Sequence, residues 1–144
     1  ADVQSSLQKG NRAVDNGNWP TASSAFRSAL RADKKVDDAG HLSASIQTRI
    51  AESFAGQGRS DLESGNYADA FDHYKSAREY APDHGAVDNL RQALEDEASS
   101  LYVQAANTKK TNPAEAASLC RTITSMVPPE SDSHKKAKSL LDEL

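Results

Sequence analysis

Between residues 19 and 30 the apolar positions Trp19, Ala22, Ala25, Phe26, Ala29 and Leu30 fall at three- and four-residue intervals, the spacing of one helix face. The same period returns in Tyr67, Ala70, Phe71, Tyr74, Ala77 and Ala81, and again in Ala116, Leu119, Cys120, Ile123 and Val127. The segments leading into these runs are periodic as well. Leu42, Ile46, Ile50, Phe54, Gly58 and Leu62 recur every four residues, and Val87, Leu90, Leu94, Ala98, Leu101 and Ala105 recur at threes and fours. These two patterns predict long helices over 39–64 and 85–110. The tail, 131–144, opens on Ser-Asp-Ser after a double proline, which suits an N-cap, and places Ala137, Leu140, Leu141 and Leu144 on one side. No segment sustains a period of two, so no sheet is expected. The pattern as a whole predicts seven helices folded into hairpins within one domain.

Turn residues divide these runs at consistent places: DNGN at 15–18, ESGN at 63–66, APDH at 81–84, KTNP at 110–113 and VPPE at 127–130. Gly17 and Gly65 stand where a left-handed residue closes one helix, and Asn18 and Asn66 where a side chain can cap the next. The aromatic that follows, Trp19 or Tyr67, is expected to pack back against the preceding helix. Ala22 or Ala70, three residues on, lets the two helices approach closely.

Composition narrows the functional classes. Hydrophobic residues are 37% and aromatics 6% of the chain, so the core must be thin and largely alanine, which disfavours a large buried active site. The formal net charge is −4 and no long basic run could neutralise phosphates, so nucleic-acid binding is not expected. The short runs KK at 34–35, KK at 109–110 and HKKAK at 134–138 read as solvated helix ends. No stretch approaches the roughly 20 apolar residues of a bilayer span, so direct membrane insertion is not expected. The chain begins Ala-Asp without an initiator Met. That start reads as an excised or processed piece of a larger, bacterial-type protein, and leans the compartment towards the periplasm or another extracytoplasmic space.

Little in the sequence points to catalysis. Cys120 alone can form no internal disulfide, is too little for a zinc site, and falls on a predicted core face. His41, His73, His84 and His134 show no ligand spacing and read as plain surface residues. The carboxylates Asp37-Asp38 suit a helix start, whereas Glu95-Asp96-Glu97 lie mid-helix and point in different directions. No phosphate loop, serine elbow or metal signature appears. The expectation is a non-enzyme without cofactor or metal.

Glycine, a polar residue, an aromatic, alanine, a bulky aromatic, alanine and proline in that order resemble the tetratricopeptide repeat (TPR) pattern. The stretch at about 51–84 matches best, with Gly58 at the small-residue position of its first helix. The stretch at about 3–36 keeps Gly10, Gly17, Ala22, Phe26 and Ala29 but has Lys34 where proline is usual. At about 97–130, Asn112, Pro113, Ala116 and Pro128 fit, while Cys120 and Ile123 replace the larger aromatic and the alanine. The resemblance implies a right-handed superhelical stack of about three TPR-like hairpins with a C-terminal capping helix at 131–144. These copies lie 48 and then about 46 residues apart, against about 34 in the family. The surplus precedes the matched first helices and predicts helices longer by roughly 20 Å at about 1.5 Å per residue, with a groove deeper or more open on one side. The alternative is that Gly40 and Gly85 mark extra elements.

In TPR arrays the first helices line a concave surface that receives partner segments. Carried over by position, this implies Leu7, Asn11, Val14, Glu52, Ala55, Arg59, Leu101, Tyr102, Ala105 and Lys109 as lining residues. The family's carboxylate clamp is not reproduced: only Asn11 fits it, with Leu7, Gly56, Ala98 and Tyr102 at the other four places. The expected function is a protein–protein interaction scaffold that binds a partner peptide or helix. The competing expectation is a structural spacer or self-association module, in which the same residues pack against the tail helix or a neighbour.

Overall fold

A computed structural model describes residues 2–36 and 42–144. The expectations placed on Asp37-Asp38, Gly40 and His41 lie outside the described residues. Within them the chain is all-α, with α1 Val3–Asp15, α2 Trp19–Val36, α3 Ser43–Glu63, α4 Tyr67–Tyr80, α5 Gly85–Thr108, α6 Pro113–Met126 and α7 Asp132–Glu143, and no strand.

Two of the inter-helix turns are built alike. Gly17 has φ 69° and Gly65 φ 79°, the left-handed conformation that L side chains resist. Asn18 N–H donates to the Ala13 carbonyl at 2.8 Å and Gly17 N–H to Val14 at 3.0 Å; Asn66 to Asp61 at 2.8 Å and Gly65 to Leu62 at 3.1 Å repeat the arrangement. Each is a Schellman closure that satisfies carbonyls left open at a helix end. The caps that follow differ. Asn18 Oδ1 accepts from Thr21 N–H at 3.3 Å, but Asn66 makes no side-chain cap bond. Ser131 departs from expectation too: its hydroxyl donates to Glu95 Oε2 at 2.7 Å on α5 instead of capping α7. Helix α3 is capped from outside, by Asp33 of α2, whose Oδ2 accepts from Leu42 N–H at 2.9 Å and Ser43 Oγ at 3.3 Å. That role explains why a carboxylate at this position is buried.

Alanine supplies about half of the buried apolar positions, as the composition requires. Close approach is most severe at two glycines. A Cβ on Gly10 would lie 2.5 Å from Phe26 Cε1, and one on Gly58 would lie 2.6 Å from Leu90 Cδ2 and 3.2 Å from the Ala70 carbonyl oxygen. Each glycine therefore admits a large side chain of a neighbouring helix against bare backbone.

The buried residues form two clusters. Ala13, Ala22, Phe26, Ala29, Ile46 and Ile50 join α1, α2 and the first half of α3. The larger cluster begins at Ala51 and runs through α4, α5, α6 and α7 to Leu140. Helix α3 thus serves two hairpins, its first half closing the α1–α2 pair and its second half pairing with α4. Helix α5 divides in the same way: Leu90 lies on Gly58 of α3, while Ala98, Leu101 and Ala105 belong to the half that meets α6 and α7. This dual use accounts for 21 residues in α3 and 24 in α5 against 13 in α1. Gly85 marks no separate element, since α5 is continuous from Gly85 to Thr108.

Phe54 joins the clusters. It packs against both, stacks on His73 at 6.2 Å and Tyr80 at 6.1 Å, and carries the Arg27 guanidinium 5.6 Å above its ring. His73 also binds Asp61 of α3 through Nδ1.

Candidate functional site

Helix α3 presents Glu52, Ala55, Gly56 and Arg59 on one face, at the three- and four-residue spacing that brings side chains into line. Trp19, at the start of α2, stands on one side of this face, and Ala86 and Asn89, in the first turns of α5, on the other. Together they enclose an open concavity of about 330 Å³. Gly56 determines how the wall meets the floor: a Cβ there would fall 2.7 Å from the indole, so the bare glycine lets Trp19 lie flat on α3. Trp19 and Tyr67, expected to pack back on their preceding helices, make contacts beyond them as well. Trp19 reaches forward to α3, and Tyr67 reaches forward to α5, donating from its hydroxyl to Glu97 Oε1 at 3.0 Å. The aromatic after the Gly-Asn turn joins one hairpin to the next.

Three of the expected lining residues, Glu52, Ala55 and Arg59, meet in this concavity. The others do not. Leu101 and Ala105 are buried in the larger cluster, because α7 covers the face of α5 that would have been open. Tyr102 and Lys109 line a separate hollow of about 310 Å³ whose other wall is Lys135, Lys136 and Ser139 of α7, with the Lys136 ammonium 5.9 Å from the Tyr102 ring. Leu7 and Val14 are half-buried against the first cluster, and Asn11 is exposed on α1 outside both concavities. The sequence reading missed Trp19, Ala86 and Asn89 as walls. The tryptophan following a helix-closing glycine was the available signal, but its direction depends on how the hairpins meet.

The charged groups of the groove are unequally engaged. His84 Nδ1 accepts from Ala86 N–H at 3.0 Å, capping α5, which leaves the proton on Nε2 facing Glu52 Oε1 at 3.4 Å. Arg49 Nη1 lies 3.8 Å from the other carboxylate oxygen of Glu52. Arg59 is exposed and forms no ion pair among the described residues. Among the described residues the groove therefore offers Arg59 as a cation outside any ion pair, beside a floor of Ala55 and Gly56.

The three described histidines, His73, His84 and His134, are not the plain surface residues expected. His73 and His84 are half-buried and bonded as described, and His134 Nδ1 donates to the Val127 carbonyl at 3.2 Å, so each fixes a helix junction. Cys120 is fully buried, and burial pushes its thiol pKa up, against thiolate chemistry. Tyr67 is also raised, first by burial and then by its bond to the Glu97 carboxylate and that group's charge. The three consecutive carboxylates diverge as expected, Glu95 to Ser131, Asp96 to Gln92 at 2.9 Å and Glu97 to Tyr67.

Among the described residues no three His, Cys, Asp or Glu side chains gather into a metal-binding group, and no helix is long and apolar enough to cross a membrane. Neither a protein-family model, a curated protein nor a solved structure matches the chain.

Proposed function

We propose that the chain is a protein-binding scaffold whose hairpins stack in the TPR manner, and which seats a partner peptide or helix along the exposed face of α3. Support for the stack comes from the repeated Schellman turns, the 48-residue register of Gly10 with Gly58 and Phe26 with Tyr74, and the packing of α3 on α5 and α4 on α6. The observation that carries the function is the groove itself. Trp19 and Asn89 flank a floor of Ala55 and Gly56, with Arg59, in no ion pair among the described residues, at the rim. A fitting segment brings a short apolar stretch to that floor and a carboxylate to Arg59.

Trp19 is the single tryptophan, so its emission reports on the groove directly. A partner isolated by affinity capture is reduced to its binding segment and titrated while Trp19 emission is followed. The reading expects a saturable spectral shift and a loss of affinity of about tenfold in Arg59→Glu. Unchanged affinity in that variant, with native circular dichroism, removes the groove from the function.

The alternative, a structural spacer or self-association module, draws support from the opposite end of the chain. There the expected lining residues Leu101 and Ala105 are core, and Tyr102 and Lys109 face α7. Sedimentation from micromolar to millimolar concentration separates the readings, since a strict monomer excludes self-association.

A further inference from the structure

The second half of α5 has a buried side and an open one. Ala98, Leu101 and Ala105 carry the packing against α6 and α7. On the other side Asp96, Ser99, Val103, Asn107 and Lys110 recur at three- and four-residue intervals, the spacing of one helix stripe, and all five are exposed. Lys110 stands two residues past the last helical position, and Lys109, with φ −57° and ψ −33°, continues the helical course to it. Val103 is 56% exposed, more than Leu42 or Leu144, the other exposed large apolar residues described. Those two cap helix ends, whereas Val103 stands inside α5. A β-branched residue is a poor helix former, so neither burial nor helix propensity accounts for valine at this position.

The charges around Val103 are placed symmetrically. Residues 98–108 hold no Asp, Glu, Lys or Arg in a chain that is 26% charged, and the first charges met along the stripe are Asp96 and Lys110. They lie seven residues from Val103 in opposite directions and have opposite signs. Such a stripe is its own complement. If two copies pair antiparallel about a two-fold axis at Val103, each residue faces the one equally far from Val103 in the other direction. Asp96 then meets Lys110 of the second copy at both ends, Ser99 meets Asn107, and Val103 meets Val103, with no like charges opposed. A parallel pairing sets Asp96 on Asp96 and Lys110 on Lys110. Both groups have capacity for the contact: Lys110 forms no ion pair among the described residues, and Asp96 accepts from Gln92 of its own helix at 2.9 Å. The mirrored placement of opposite charges selects a second copy over an unrelated helix, which would need no such symmetry.

We propose that the chain forms an antiparallel, two-fold symmetric dimer through this face of α5, with Val103 on the axis. The contact is about 21 Å long, and one helix pair of that length buries less than the roughly 1,200 Å² of a stable interface. The dimer is therefore transient and populated towards millimolar concentration. The groove residues Ala86 and Asn89 precede the span 96–110, and the dimer does not rest on the groove reading.

Sedimentation equilibrium of the whole chain from micromolar to millimolar concentration reads the dimer. Asp96→Lys and Lys110→Asp are each expected to weaken it about tenfold or more, and Asp96→Lys/Lys110→Asp, which exchanges the charges, to recover it. Arg59→Glu leaves it unchanged. Under oxidation Val103→Cys is expected to give a disulfide-linked dimer, whereas Asn107→Cys, about 12 Å from its own copy, does not. Cys120 is fully buried and does not compete. The substituted positions are exposed, and circular dichroism checks the fold of each variant. A strict monomer at millimolar concentration overturns the proposal and leaves the Arg59 test of the groove untouched. A dimer that persists through both charge reversals, or that the exchanged pair fails to recover, lies on another face and overturns it as well.

Discussion

Two pairs of glycines resist substitution for opposite reasons. At Gly10 and Gly58 the obstacle is space, since an added Cβ meets Phe26 or Leu90, both fully buried and unable to retreat. Alanine there is expected to cost about 1–3 kcal/mol. At Gly17 and Gly65 nothing lies within 4 Å, and the obstacle is the positive φ, with an expected cost of roughly 1–2 kcal/mol. Asparagine distinguishes the cases because it tolerates the left-handed region. Urea unfolding should show Gly17→Asn and Gly65→Asn milder than their alanine variants, and Gly10→Asn and Gly58→Asn harsher. A second residue-scale prediction follows from titration. Cys120 and Tyr67 both have folded pKa values raised above their ordinary 9.0 and 10.0, so the folded state holds these protons more tightly. Their contribution is complete below the unfolded values and is lost as pH rises through the folded ones. Stability measured by denaturant should fall above about pH 9, and Tyr67→Phe should remove the later part of that fall.

At the scale of elements, what could be read from sequence was the face of each helix, and what could not was the face it meets. Leu42 to Leu62 and Val87 to Ala105 predicted α3 and α5 well, because a 3.6-residue period is a local property. The junction of Arg27, Phe54, His73 and Tyr80 draws on three helices, and no local period encodes it. The same limit explains the groove: Glu52, Ala55 and Arg59 follow from one helix face, whereas Leu101 could be placed in the core only by knowing where α7 lies. Because Phe54 connects the two clusters, Phe54→Ala is expected to cost about 3–5 kcal/mol and to uncouple them. Native-state hydrogen exchange should then show α1 and α2 amides losing protection while those of α5 and α6 are largely kept. Uniform loss across the chain would contradict this division.

Across the whole molecule the two ends are finished differently. At the C-terminal end α7 buries Ala137 and Leu140 over α5 and α6, and Ser131 ties the preceding turn to Glu95. Leu140→Ala is expected to cost about 2–5 kcal/mol and to expose apolar surface, read by dye binding and by sedimentation. At the other end the α1–α2 face bears open hollows lined by Ser6 and Ala25 and by Ala32.

The two long helices have a consequence for how such a chain could be shortened or extended. In an array whose units each own their helices, one unit can be removed and the cut ends rejoined. Here the joints are dovetailed: excising residues 43–84 would take away the half of α3 that closes the first cluster and strand Leu90 without Gly58 to rest on. Engineers wishing to vary its length would have to exchange overlapping pieces, cutting within α3 and α5 instead of at the turns.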